Sequence, residues 1–393
     1  MPISRRQLLQ LGALAPLARL AGVSEPASLD GRVAEDGGRR PAARAEELIV
    51  RSSRPLDLET PVSAFTQEFT PNELFFVRSH FGAPLLDAAS WKLSVEGLVS
   101  SPLELSLVEL RKLAVARAPA VLQCAGNGRA LFTPRVAGAQ WQKGAVGQAR
   151  WGGVPLVALL ERAGVKPEAK FVTFLPGDHP MAPTVPKFLR SIPLEKARLD
   201  VLLAWEMNGQ PLPVLHGAPL RAVVPGWAGD HWIKWLRGIR LDAAEDPGFY
   251  MQTGYKFPDV PLAPGTPPPK GSMKTLTSLP VKSLFAAPLD GARLRGPVVA
   301  VQGVAFGGQG PVKRVEVSFD DGATWTEAKV DSPAGPAAWQ RFRVAWKPAA
   351  PGSFVLRARA TDAAGEVQPR EPRWNPGGYL HNAWDSVRCE VAS

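Results

Sequence analysis

Two periodicities divide the chain. From about Glu46 to Leu276 the apolar positions change spacing from segment to segment. Ser106-Leu107-Val108-Glu109 has capping-box spacing, with Ser at the N-cap and Glu three residues on, and Leu107, Leu110 and Leu113 fall on one helical face. Pro155 to Arg162 predicts a second short helix with Leu156, Leu159 and Leu160 apolar and Gly164 just past its end. Short strands are expected at Trp91–Val95, Phe171–Leu175 and Arg221–Val224. Together these predict an α+β domain whose loops carry the polar residues. Pro258 to Pro280 is polar, helix-poor and proline-rich, which predicts a linker and a domain boundary. Beyond it the period is two. Val315, Val317 and Phe319 alternate with Arg314, Glu316 and Ser318; Asp320-Asp321-Gly322 is a turn, followed by Trp325. Phe342, Val344 and Trp346 alternate with Arg341 and Arg343, and Phe354, Leu356 and Ala358 with Val355, Arg357 and Arg359. Such strands, separated by Gly, Pro and Asp turns, predict an antiparallel β-sandwich of immunoglobulin type. No internal repeat is visible.

Composition narrows this picture. The 393 residues are 45% hydrophobic and 21% charged, ordinary for a globular chain with a real core. No run of about 18 apolar residues exists, which excludes a conventional helical membrane span. Forty prolines and 37 glycines favour short strands and ordered loops over a helical bundle, and 12 tryptophans point to thick aromatic packing. The net charge is +10, but the arginines are scattered, so the footprint of a nucleic-acid binder is missing. Cys124 and Cys389 are the only cysteines, which rules out a disulfide framework and a four-cysteine zinc or iron–sulfur site and leaves one bridge open. At the start, Arg5-Arg6 precedes a short apolar stretch interrupted by Pro16 and Arg19. It reads as a twin-arginine export signal cleaved near Ala21, with an amphipathic surface helix as the alternative. Residues 24–44 read as a Gly-, Ala- and Arg-rich linker. The expected organisation is signal and linker over 1–44, a catalytic domain over 45–270 and the sandwich over 271–393, in a protein exported folded to the periplasm.

The densest chemical signal is Val121-Leu122-Gln123-Cys124-Ala125-Gly126-Asn127-Gly128-Arg129. An apolar strand ends at a cysteine, and the chain then turns through residues that tolerate positive φ. Arg129 is expected to favour the Cys124 thiolate, the form that binds metals or attacks electrophiles. A buried cysteine before a tight turn is the plainer alternative. A Cys–His catalytic pair gains no support from spacing to His80, His179, His216, His231 or His381. There is no C-x-x-C or H-x-x-x-H, and the absence of C-x-x-C-H excludes c-type haem. A single thiolate holding a metal that arrives with its own ligands is the attractive reading.

The segment Gln123-Cys124-Ala125-Gly126-Asn127 resembles the molybdenum-ligating motif of the sulfite oxidase family. Phe75-Phe76-Val77-Arg78-Ser79-His80 resembles the family's F-F-x-R-x-H element. Trp141, Ala149-Arg150-Trp151-Gly152-Gly153, Leu203 to Pro213, His216 to Arg221, Lys234-Trp235, Tyr255-Lys256, Trp374-Asn375-Pro376 and Asn382-Ala383-Trp384 follow in family order. The likeness runs from about residue 60 to the C-terminus. It implies a sulfite-oxidase-type molybdopterin-binding domain followed by an immunoglobulin-like dimerisation domain. It implies one molybdenum–molybdopterin per chain, held by dithiolene sulfurs and by Cys124 as the protein's metal ligand, since soft thiolates suit such a metal. The cofactor pocket then maps onto Phe76, Arg78, Ser79, His80, Asp178, His216, Arg221 and Lys234, a cationic set for a phosphate-bearing pterin. Substrate handling maps onto Arg78, Arg129, Trp141 and Tyr255. The implied activity is oxidation of sulfite to sulfate by an exported homodimer.

The chain departs from the family pattern in two places. Gly128 precedes Arg129 where animal-type members carry two adjacent arginines, and a further substrate arginine of the family's second domain has no counterpart that the sequence identifies. There is no fused haem domain, so electrons are expected to pass to a separate acceptor such as a c-type cytochrome. Rival expectations are a sulfane-sulfur dehydrogenase, an S- or N-oxide reductase on the same site, or a binding or assembly protein that keeps the fold without turnover.

Overall fold

The computed structural model describes residues 47–392; the expected signal and linker, residues 1–44, lie outside the described residues. Strands dominate. A three-stranded sheet joins Ile49–Ser53, Leu56–Glu59 and Val77–Arg78. A five-stranded sheet carries the segment that leads to Cys124: Ala116–Gln123 pairs antiparallel with Val146–Pro155, which pairs with Leu202–Met207, itself paired with Gln210–Pro211 and Arg221–Val223. A mixed five-stranded sheet runs Leu103–Ser106, Lys92–Gly97, Leu236–Asp242, Phe171–Pro176, Arg190–Pro193, with the second and third strands parallel.

The helices are short because their signals are local. Leu107–Leu110 forms behind a complete capping box, Ser106 and Glu109 satisfying each other's backbone N–H. Its apolar face is shorter than the leucine spacing predicts: Leu110 is buried, while Leu107 and Leu113 are only half-buried. Leu156–Ala163 buries Leu156, Leu159, Leu160 and Ala163 and stops at Gly164, whose φ of 65° is the left-handed C-cap. Burying each of those leucines is worth about 1.5–3 kcal/mol, so packing rather than propensity holds two helical turns.

The alternating segments after residue 280 form two sheets. Lys282–Ala287, Val299–Phe306, Gln340–Trp346 and Lys329–Val330 make one; Ala292–Leu294, Asp385–Val391, Gly352–Asp362, Val312–Ser318 and Thr326–Glu327 make the other. Their inward positions, among them Val315, Val317, Phe342, Leu356 and Ala358, share one apolar core. Between this core and the large N-terminal one sits a third cluster, in which Phe65, Val121, Ala125 and Val146 pack with Leu284, Val304, Phe306 and Trp339. Pro258 to Pro280 is irregular and mostly exposed over 259–271, as its prolines suggest. Lys256–Pro258 pairs antiparallel with Met273–Thr275, and Leu276 and Leu279 are buried, so backbone pairing and two leucines pin the ends of the stretch. Both cysteines are free.

Candidate active site

The Cys124 loop is fixed from both flanks. The Cys124 N–H donates to Ala145 O at 2.9 Å, Asn127 N–H to Cys124 O at 2.9 Å and Arg129 N–H to Gly126 O at 3.0 Å. Asn127 and Gln123 form a clamp: Asn127 Oδ1 accepts from the Ala145 N–H at 3.0 Å, and Asn127 Nδ2 donates to Gln123 Oε1 at 3.1 Å. Gly128 has φ of 88°, and a Cβ there would lie 2.8 Å from the His381 Cβ, so both conformation and space demand glycine.

Cys124 opens into a cleft. Phe76, Arg78, Ser79, His80, Asp178, His216, Arg221, Lys234 and Tyr255 line the same cleft. Eight of these were expected from sequence to hold a cofactor and Tyr255 to handle substrate. Arg129 and Trp141 do not line it. Trp141 is fully buried, edge-on to Phe76 at 6.3 Å, and its indole N–H has no acceptor among the described residues. Arg129 lies behind the loop: its guanidinium is flat against Gly126, where a Cβ would fall 2.7 Å from Nη1 and Nη2. Arg129 Nε donates to Gly377 O and Nη1 to Ala139 O, both at 3.1 Å.

Electrostatics in the cleft follow from burial. Burial pushes the Cys124 thiol up; Arg78 is the first cation opposing this and Arg129 the second. Arg129 does favour the thiolate, as expected. In the protein alone burial outweighs both arginines, and Arg78 contributes more. Arg78 pairs with Asp57 at 3.3 Å and also donates to Ser79 O. His80 is pushed well below its usual range by burial and then by Arg78, so it is neutral; its Nε2 lies 2.8 Å from Tyr255 Oη, and its ring stacks on Phe188 at 3.7 Å. Burial, then Lys234 and Arg221, lowers His216 to about 3, so its neutral Nε2–H donates to Asn72 O at 3.2 Å.

Two cations stand out. Arg221 is fully buried, donates to His216 O at 2.9 Å and Trp232 O at 3.0 Å, and lies over Trp151 and Trp232. Burial brings it down to about 9. Lys234 donates to Ser79 Oγ and Leu215 O, each at 2.9 Å, and is pushed well down by burial and then by Arg221, against Asp178. Among the described residues neither makes an ion pair with a carboxylate. Asp178 itself is raised by burial, opposed first by Lys234.

Sequence reading missed several neighbours. Asp57, the carboxylate behind Arg78, sits in an ordinary alternating strand with no motif around it. Arg190 and Asp230 form a buried pair at 2.8 Å, with Asp230 on the cleft wall; they lie 40 positions apart, and only the fold joins them. Tyr379 lies against Tyr255, with ring centroids 5.3 Å apart and planes at 18°. No sequence signal marks it.

Comparison with known proteins agrees with this geometry. The family model described as "Oxidoreductase molybdopterin binding domain" matches residues 80–250, and "Mo-co oxidoreductase dimerisation domain" matches residues 273–392. Mitochondrial sulfite oxidase of Rattus norvegicus is 34% identical over 97% of this chain and 71% of its own length. Sulfite oxidase of Arabidopsis thaliana is 33% identical over 88% of this chain and 94% of its own. The solved structure of the sulfane dehydrogenase SoxCD from Paracoccus pantotrophus has a TM-score of 0.77 at 28% identity, covering 90% of this chain and 92% of that one. The site residues fit the group these proteins imply. A free thiol faces a cleft that holds a buried and a half-buried cation, Arg221 and Lys234, without carboxylate partners among the described residues, the environment a phosphate-bearing anionic cofactor completes.

Proposed function

Because the chain belongs to the sulfite oxidase family of molybdopterin oxidoreductases, we propose that it oxidises sulfite to sulfate and passes the electrons to a separate acceptor, a c-type cytochrome. The observation that carries this reading is Arg78, which lines the cleft beside Cys124, with a second guanidinium, Arg129, packed behind the Cys124 loop. Sulfite is a small oxyanion, and charge-assisted bonds from two arginines suit its oxygens. Cys124 would hold molybdenum as thiolate, and Arg221 and Lys234 the pterin phosphate. When bound, that group supplies oxygen-atom transfer and a two-electron redox couple. The chain's own residues orient and exclude. Arg78, braced by Asp57, faces the cleft; Arg129 adds positive charge from behind Gly126; the Tyr255 hydroxyl, paired with neutral His80, offers a polar contact for the anion or its water. Trp141 packs edge-on behind Phe76, which lines the cleft, and its buried N–H has no acceptor among the described residues. The reading includes assembly as a homodimer through the C-terminal domain and export by the twin-arginine route to the periplasm.

The test is molybdenum content per chain in protein from a host that makes the pterin, followed by sulfite addition with an artificial electron acceptor. Near-stoichiometric metal with sulfite-dependent reduction supports the proposal. Metal without sulfite turnover moves the activity to a second reading, a sulfane-sulfur dehydrogenase, which the structural likeness to SoxCD favours. Cys124→Ser that folds but keeps full turnover would overturn both.

A further inference from the structure

Arg129 is held almost wholly by glycines, carbonyl groups and one ring. Besides Gly126, a Cβ at Gly138 would lie 3.0 Å from its Nη1, and one at Gly378 would lie 2.8 Å from its Cγ. No acidic side chain pairs with it among the described residues. Nε and Nη1 are spent on Gly377 O and Ala139 O, which leaves Nη2 without a hydrogen-bond partner among those residues. The remaining wall is the ring of Tyr379, 5.3 Å from the guanidinium carbon.

Tyr379 belongs to the C-terminal domain, yet its other neighbour is Tyr255, on which it stacks. Tyr255 is itself constrained: its φ of 51° is left-handed, and its hydroxyl meets His80 at 2.8 Å. The segment that presents Tyr379 is tied down at both ends. Asn375, fully buried, accepts from the Tyr379 N–H and donates to Tyr379 O, both at 2.9 Å. The Leu380 N–H donates to Ala125 O at 2.8 Å, next to Cys124, and the His381 ring packs edge-on to Phe132. One ring thus touches an arginine on one side of the cysteine loop and a tyrosine on the cleft wall.

We propose that Tyr379 is a positioning residue that sets the pose of Arg129 against Tyr255, and through that pose the affinity of the site for a small sulfur oxyanion. This rests on the sulfite reading of the same site. A flat π face holds a guanidinium in one plane by cation–π attraction, which an aliphatic side chain of similar volume does not supply. With Nε and Nη1 anchored to carbonyls, that plane fixes the direction of the free Nη2 edge. Losing the plane costs anion affinity while leaving the electron chemistry at the metal alone.

The experiment uses holoenzyme at matched molybdenum content: wild type, Tyr379→Phe and Tyr379→Leu. Sulfate affinity is measured by calorimetry, and sulfite KM and kcat with an artificial acceptor. Tyr379→Leu is expected to weaken sulfate binding and raise sulfite KM by about tenfold, the size of one lost cation–π contact in a desolvated site, with kcat within about twofold. Tyr379→Phe keeps the ring and is expected to stay within about threefold of wild type. Equal affinity in wild type and Tyr379→Leu overturns the assignment, as does a Phe variant as weak as Leu, which would place the effect on the hydroxyl. A fall in melting temperature with unchanged affinity overturns it too. A wild type that binds neither sulfate nor sulfite overturns the substrate reading beneath it, a result distinct from any of these.

Discussion

Arg221 offers the most direct test of why the cleft is cationic. It is fully buried, and burial alone brings it down to about 9. A fall of about 3.5 pH units, at about 1.36 kcal/mol each, makes its charge cost the protein about 5 kcal/mol when no anion is present. Its bonds to His216 O and Trp232 O, at about 1.5–3 kcal/mol each, and the indole faces beside it offset most of that. Arg221→Met is therefore expected to leave the cofactor-free protein within about 3 °C of the wild-type melting temperature, since replacing a buried charge by an apolar side chain is often neutral. Anion binding behaves differently. Inorganic phosphate at about 100 times its Kd stabilises by about 2.7 kcal/mol, roughly 3–4 °C for a protein of this size. The assay is thermal melting of cofactor-free protein in phosphate against chloride at equal ionic strength, paired with molybdenum content of the holo preparation. Wild type should show the full rise; Arg221→Met should show less than about 2 °C and lose most of its metal. The sign of the pH effect is a further check. A base whose folded pKa lies below its unfolded one favours folding as pH rises above about 9, so wild type should gain on Arg221→Met there. Equal phosphate shifts with full metal loading in the variant would refute the reasoning.

Other outcomes follow from local geometry. Arg129→Gln should raise sulfite KM by about tenfold or more, one charge-assisted bond being worth about 1.5–3 kcal/mol; unchanged sulfite kinetics would remove Arg129 from the substrate site. Glu109→Ala breaks half of a capping box and should cost about 1 kcal/mol in a chemical denaturation series, with turnover unchanged. Gly153→Ala places a Cβ 1.9 Å from Leu203 O, backbone that cannot swing aside, and should destabilise by at least about 2 kcal/mol. An Ala variant that melts with wild type would mean the two strands separate there more readily than their register suggests.

Legibility in the sequence followed the range of the interaction. The capping box at Ser106, the stop at Gly164 and the alternation through Val315, Phe342 and Leu356 are local patterns, and each matches the structure. The cleft residues from Phe76 to Lys234 were readable only through an ordered family resemblance; spacing by itself left Cys124 open between a buried thiol and a ligand. The unread contacts are long-range. Asp57 braces Arg78 across 21 positions, and Tyr379 meets Arg129 across 250. Such pairs carry no periodicity and exist only once sheets and domains have packed. The 258–280 stretch is irregular and mostly exposed over 259–271, as its prolines suggest, and strand pairing pins only its ends.

The seam between the two domains has one more consequence. The backbone of the Cys124 strand is itself shared property: the Val121 N–H donates to Ala337 O at 2.9 Å, and the Trp339 N–H and indole reach Gln148 Oε1 at 2.6 Å and Glu68 O at 2.8 Å. Each of these donors or acceptors would be stranded if the halves were expressed apart. The two family modules therefore complete each other's hydrogen bonds along this seam. A chimera that exchanges the sandwich between relatives must carry residues 335–340 and 375–381 with it, or the strand that presents the cysteine is left half-dressed.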